Sequence, residues 1–293
     1  MPAALLDDFS LLRFSGPDAT TFLHGQLTCD VQGLKTGKST YGGYCTPKGR
    51  LLATFLLWHD ADGYRMLLPA TIAEPLRKRL SMYILRAKVK GEDITTTVAR
   101  IGVLGSDTAS ALDVLGGKAP EQLHGVRIED AVTVIRLPGN RFLAIKTGDA
   151  SNLATDSSAW LAADIANGIP FIGPATQEEF VPQMVNLDLI GALSYTKGCY
   201  PGQEIVARTH YLGRLKQRMY RASVAAAAPG DKLYCAELGD QAAGMIVSAA
   251  HADDGSQEVL AVLQTSNSAT TSYHCGSPQG PALSLKTLPY PMD

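Results

Sequence analysis

Apolar positions along the chain follow two periods. Residues 51–58, Leu-Leu-Ala-Thr-Phe-Leu-Leu-Trp, form a nearly continuous apolar run, as expected of a buried strand. Asp60-Ala61-Asp62-Gly63 follows as a hairpin turn, and residues 64–68 return as the partner strand. After Pro69 the period changes. Ile72, Leu76, Leu80 and Ile84 recur every four residues, which predicts a helix from Thr71 to about Leu85. Its polar face carries Arg77, Lys78, Arg79 and Arg86 and is read as solvated.

The same reading extends along the chain. Leu11 to Phe14 is a short strand. Ser15-Gly16-Pro17-Asp18 starts a helix that buries Phe22, Leu23 and Leu27 and ends at Thr28-Cys29-Asp30. Residues 88–102 read as one or two strands, and 105–115 as a helix closed by Gly116-Gly117. Residues 126–136 and 141–146 pair around Pro138-Gly139-Asn140, and 151–167 form a helix bearing Trp160. Beyond Gly213 come short, evenly spaced strands at 218–224, 232–234, 244–249 and 258–263, with no long helix. That pattern predicts a small β-barrel over 213–293 behind an α+β region over 1–212, whose inner block spans about 88–148.

With 293 residues the chain has room for about two domains. Its net charge of −2 argues against a nucleic-acid binder acting through its whole surface. The charge is uneven. Residues 197–221 hold Lys197, Arg208, Arg214, Lys216, Arg218 and Arg221 against Glu204, six minus one, leaving −7 elsewhere. Such a local basic face suits an anionic small molecule or a local RNA contact. Five cysteines with wide spacing and no C-x-x-C pair argue against a disulfide framework and a zinc site. No signal core and no apolar run of membrane-spanning length is present, so the expectation is a soluble, cytoplasmic protein with no membrane partner. Phosphate-binding glycine loops, a G-x-S-x-G elbow and an H-E-x-x-H helix are all missing.

The densest chemistry is Lys197-Gly198-Cys199-Tyr200-Pro201-Gly202-Gln203-Glu204. A cation, a thiol, a phenol, an amide and a carboxylate sit between two glycines and a proline, just before apolar periodicity resumes at Ile205 and Val206. A thiol ahead of a helix N-terminus and beside a lysine is a candidate for activation. A structural loop with solvated charges remains open on the residues alone. His24 and Gln26 face either a ligand or solvent, and Tyr41, Tyr44 and Trp160 suit either a flat heterocycle or the core.

Taken in order, Phe22-Leu23-His24-Gly25-Gln26-Leu27-Thr28-Cys29-Asp30, Tyr44-Cys45-Thr46-Pro47-Lys48-Gly49-Arg50 and Lys197 to Glu204 carry a resemblance over essentially the whole chain. The sequence resembles the YgfZ family, folate-binding relatives of the glycine-cleavage T-protein. The resemblance implies a T-protein-like α+β fold, a ring of three pseudo-domains with a C-terminal β-barrel. It implies tetrahydrofolate or a derivative as cofactor, and support for assembly or repair of [4Fe–4S] enzymes, including tRNA-thiolating ones, as partners. Cys199 matches the family's functional thiol, with Lys197 beside it, and any metal contact would be a transient cluster at Cys199. Phe9, Trp160, Tyr200, Gln203, Glu204 and Arg208 match the folate-binding positions, Phe9 standing where a tryptophan is commoner.

The resemblance also frames two alternatives. In the T-protein an aspartate serves aminomethyl transfer, and its position falls at about Leu52 and Ala53, which cannot accept a proton. The expectation is therefore an accessory protein rather than an aminomethyltransferase. Direct tRNA contact would run through Arg208, Arg214, Lys216, Arg218 and Arg221.

Overall fold

The structure is a computed structural model that describes residues 3–148, 150, 153–211, 213, 215–252, 254–265 and 271–292. The chain condenses into two compact, discontinuous units. The first comprises Met1–Gly42, Phe55–Trp160 and Thr196–Tyr200; the second comprises Gly43–Thr54, Leu161–Tyr195 and Pro201–Asp293.

Strands β1 (Ala3–Leu5) and β2 (Phe9–Ser15) precede a short helix, α1 (Ala19–His24), which ends at Gly25 instead of running on to Cys29. Strand β3 (Ser39–Cys45) then leads to β4 (Leu51–Asp60) and β5 (Gly63–Pro69). Residues 51–58 of β4 are all buried, as their unbroken apolar run requires. Helix α2 (Ala70–Ser81) buries Ile72, Ala73, Leu76 and Leu80 but stops short of Leu85. The Ser81 hydroxyl there donates to the Arg77 carbonyl at 2.8 Å, a side-chain bond that competes with the backbone ladder. Strands β6 (Lys90–Asp93) and β7 (Val98–Val103) follow.

Helix α3 (Thr108–Leu115) is closed by Gly116 at φ +82°, the left-handed cap the sequence indicates. Three strands rather than two then appear: β8 (Val126–Glu129), β9 (Val132–Leu137) and β10 (Arg141–Thr147). Asp130, at φ +40°, makes the extra turn, a conformation a short polar side chain tolerates. Helix α4 (Ser158–Ala166) starts later than its expected span.

In the first unit β1-β7-β10-β9-β8 form an antiparallel sheet. Ile101, Val103, Val132, Val134 and Phe142 bury their side chains with Leu112 and Leu115 of α3. A second five-stranded sheet runs in the order β3-β4-β5-β2-β6, and the division between the units cuts through β3 and β4.

The second unit contains α5 (Gln203–Tyr211), then β11 (Gln217–Val224), β12 (Lys232–Tyr234), β13 (Gly244–His251), β14 (Gln257–Gln264), β15 (His274–Cys275) and β16 (Ser284–Lys286). These strands form one sheet in the order β15-β12-β13-β14-β11-β16, bulged between Ile246 and Ser248. Ala222, Leu233, Ile246, Val259, Leu263 and Tyr273 fill its core. Among the described residues no helix is long and apolar enough to cross a membrane, and no group of three or more His, Cys, Asp or Glu side chains could hold a metal ion.

Candidate functional site

Lys197 is 9% exposed, and its ammonium donates to the carbonyls of His24, Leu27 and Cys29. An ammonium carries three donors, so the set matches its hydrogen-bonding capacity. The 24–29 segment has no helix ladder to absorb these carbonyls, because α1 ends at His24. Lys197 therefore binds the two sequence motifs into one structural element. Burial lowers its pKa to about 8. Its Nζ also lies 5.0 Å from the Tyr200 ring centroid, and Tyr200 is buried.

His24 joins this element through its side chain. Its Nδ1 accepts the Gln32 N–H at 3.3 Å and lies 3.3 Å from Asp30 Oδ1. Burial and the Lys197 charge lower its pKa, opposed by Asp30. A Cβ placed at Gly198 would be 3.8 Å from His24 Nε2, so the imidazole borders the turn that presents Cys199. Gln26, in the same segment, has a buried Oε1 with no hydrogen-bond partner among the described residues.

Cys199 is the exposed thiol; Cys29, Cys45, Cys235 and Cys275 are buried. Burial raises Cys29 and Cys45 to about 12 and Cys275 to about 11. A thiolate is the reactive form, so the four buried cysteines are poor nucleophiles by environment.

In the second unit, Gly202 sits at φ +81° against Thr46 and Gly49. A Cβ there would lie 2.5 Å from both Gly49 Cα and the Thr46 carbonyl oxygen, which only glycine avoids. The close approach sets the start of α5, whose first turn holds Gln203, half-buried, and Glu204, exposed; Arg208 is exposed one turn on. Gln183 Nε2 anchors the helix by donating to the Val206 carbonyl at 2.7 Å.

The expected stacking aromatics lie in the core. Phe9 and Trp160 are each 2% exposed. Trp160 lies under the Arg141 guanidinium, 4.6 Å from the ring centroid, and a Cβ at Gly102 would meet the indole at 2.6 Å. Tyr41 and Tyr44 are also buried. An aromatic group that the sequence reading passed over stands on α5: His210 stacks on Tyr195 at 3.8 Å and 14°, and Tyr211 meets Tyr195 edge-on at 6.3 Å. The spacing of Tyr195 from His210 and Tyr211 hides that cluster in the sequence.

The basic face over 208–221 is partly neutralised. Arg218 makes a bidentate pair with Asp188 at 2.7 and 2.9 Å, and Arg221 pairs with Glu258 at 3.0 Å. Arg208 and Lys216 are exposed, and Arg214 lies outside the described residues. Leu52 and Ala53 are buried on β4, and the Leu52 carbonyl accepts from Gln177 Nε2 at 2.7 Å. A cavity of about 370 Å³ in the first unit, bordered by Arg13, Asp60, Arg65 and Asp130, includes none of the expected site residues.

No protein-family model matches the chain. It is similar to the tRNA-modifying protein YgfZ of Vibrio vulnificus, 33% identical over all of this chain and 93% of that one. The tRNA-modifying protein YgfZ of Sodalis glossinidius is 31% identical over 97% of this chain and 92% of its own. Among solved structures, the glycine cleavage system aminomethyltransferase T of Bartonella henselae superposes with a TM-score of 0.75 over 98% of this chain and 85% of its own, at 15% identity. The fold is thus the α+β fold of that aminomethyltransferase, as the motifs lead one to expect. Full-length likeness above 30% identity places the chain in the YgfZ family of tRNA-modifying proteins.

Proposed function

We propose that this protein supports tRNA modification as a cytoplasmic, folate-binding accessory factor for iron–sulfur enzymes, acting through the Cys199 thiol. The observation that carries this reading is one exposed thiol at the end of a segment that Lys197 locks to 24–29. Membership of a family named for tRNA modification supplies the process. A [4Fe–4S] cluster normally takes four thiolate ligands, so a cluster meeting Cys199 would be cargo shared with a client, such as a tRNA-thiolating enzyme.

Tetrahydrofolate fits the polar surface of α5. Gln203 and Glu204 offer the donor edge of a pterin an amide and a carboxylate, and the Arg208 guanidinium adds a positive charge that suits an anionic ligand. Phe9, Trp160 and Tyr200 are buried and present no open stacking face. A bound tetrahydrofolate would supply a one-carbon or reducing centre. The accessory reading is preferred to aminomethyl transfer because Leu52 and Ala53 bring no carboxylate to the position the T-protein resemblance marks.

The test is thiolated-nucleoside content of tRNA, by mass spectrometry, in cells lacking the protein and complemented with wild type or Cys199→Ser. The serine variant is expected to accumulate normally, retain tetrahydrofolate binding by calorimetry and fail to restore thiolation. Wild-type thiolation with Cys199→Ser would overturn the role of the thiol.

A further inference from the structure

The stretch from Arg77 to Lys90 contains six cations and no carboxylate, in a chain whose net charge is −2. Helix α2 supplies Arg77 and, in its last turn, Lys78 and Arg79, where cations also complement the helix dipole. That explanation does not reach Arg86 and Lys88, which lie beyond the helix, or Lys90 in β6. Glu74 engages Arg77 and Lys78, and Glu92 engages Lys90. Arg79, Arg86 and Lys88 form no ion pair among the described residues.

Large apolar side chains alternate with these charges. Met82 is 66% exposed, Tyr83 44% and Leu85 86%. Their exposure is not a frayed end. The Lys88 N–H donates to Asp18 Oδ2 at 2.7 Å, and the Tyr83 N–H donates to the Leu80 carbonyl at 3.0 Å. A Cβ at Gly16 would clash with the Lys88 carbonyl, so the loop lies directly on the Gly16 backbone. An anchored ridge that pairs unneutralised cations with exposed apolar faces is built for a polyanion carrying flat apolar surfaces.

We propose that residues 77–90 form an RNA-docking surface that takes a loop or single-stranded part of tRNA. Arg79, Arg86 and Lys88 meet phosphates, while Tyr83, Met82 and Leu85 lie against unstacked bases. The assignment rests on the tRNA-linked reading above and adds to it a direct contact, at a place other than the 208–221 face, where Arg218 and Arg221 are already paired.

The experiment measures anisotropy of a labelled, unmodified tRNA transcript with the full chain between about 50 and 200 mM salt. Wild type is expected to bind with a steep inverse salt dependence. Arg86→Ala with Lys88→Ala should weaken binding at least tenfold and lower the log–log salt slope by about one per cation removed. Tyr83→Ala should weaken binding to the same transcript and leave the slope unchanged, and unchanged affinity would overturn the base contact. Lys216→Ala and Cys199→Ser should bind as wild type, which separates this surface from the thiol chemistry. All the substituted side chains of the ridge are exposed, and circular dichroism checks that the fold is kept.

An unchanged affinity and slope in the double variant would overturn the proposal, as would no tRNA binding at the lower salt. Competition by polyglutamate equal to that by tRNA would assign the ridge to acidic proteins and overturn it. Sedimentation with phosphatidylglycerol vesicles, lost in the double variant while tRNA binding persists, would assign it to lipid and overturn it.

Discussion

The Lys197 ammonium donates to the carbonyl oxygen of Cys29 at 3.1 Å, across 168 positions of sequence. With the His24 and Leu27 carbonyls also bound, the side chain closes a segment that would otherwise bury unpaired acceptors. Lys197→Met keeps the apolar stem and removes the donors. The expected loss is about 3 kcal/mol, read from urea unfolding, because bonds to a charged donor are lost while the carbonyls stay buried. A midpoint equal to wild type would show that the clamp contributes nothing.

Thiol labelling separates Cys199 from the rest. Native protein treated with iodoacetamide should take up one label per chain, at Cys199, by peptide mass spectrometry. Cys29 and Cys45, held up to about 12 by burial, should react only on unfolding. Labelling of native Cys199→Ser at the wild-type rate would contradict the burial of the other thiols.

Gly202→Ala tests the turn ahead of α5. The methyl would stand 2.5 Å from two backbone atoms at a φ of +81°, and neither neighbour is a flexible side-chain end. Thermal unfolding should register a loss of about 3 kcal/mol. A neutral result would mean that the Thr46-to-Gly49 turn relaxes freely.

Arg218 and Asp188 form a largely buried pair, with side chains 16% and 14% exposed. Arg218→Ala leaves that carboxylate unpaired and should cost about 3 kcal/mol in urea unfolding. Arg218→Ala with Asp188→Asn should recover part of the loss, and simple additivity of the two single changes would argue against coupling.

His124 gives a pH-dependent test. Burial and the Lys38 charge lower its pKa from the ordinary 6.5. The unfolded chain therefore binds the proton more readily, so stability falls as pH drops through 6.5 towards the lowered value. Asparagine tolerates the left-handed φ of +58° at this position. His124→Asn should show a smaller decline in urea midpoint between pH 7 and 5, and an identical decline would place the acid sensitivity elsewhere.

Elements with a strong period were legible in the sequence. The apolar run at 51–58 and the glycine stop after Leu115 both correspond to the observed elements. Helix α2 was overextended because Ile84 continues its four-residue period although the chain has left the helix at Ser81. The turn at Asp130 was hidden because Val126 to Arg136 has strand-like apolar residues on both sides of it. At the site, the motif around Cys199 was visible, but its partnership with 24–29 was not. Hydrogen bonds to backbone carbonyls leave no side-chain signature, and the stack of Tyr195 on His210 depends on a long-range approach.

The Lys197 clamp also sets the order in which the nascent chain can mature. His24 and Lys197 are 173 residues apart, so at about 5–20 residues per second the ribosome delivers the lysine about 9 to 35 s after the histidine. Until then the carbonyls of His24, Leu27 and Cys29 have no ammonium to meet. The first unit is begun by the N-terminus but completed by Thr196–Tyr200, so its closure waits on residues translated far later.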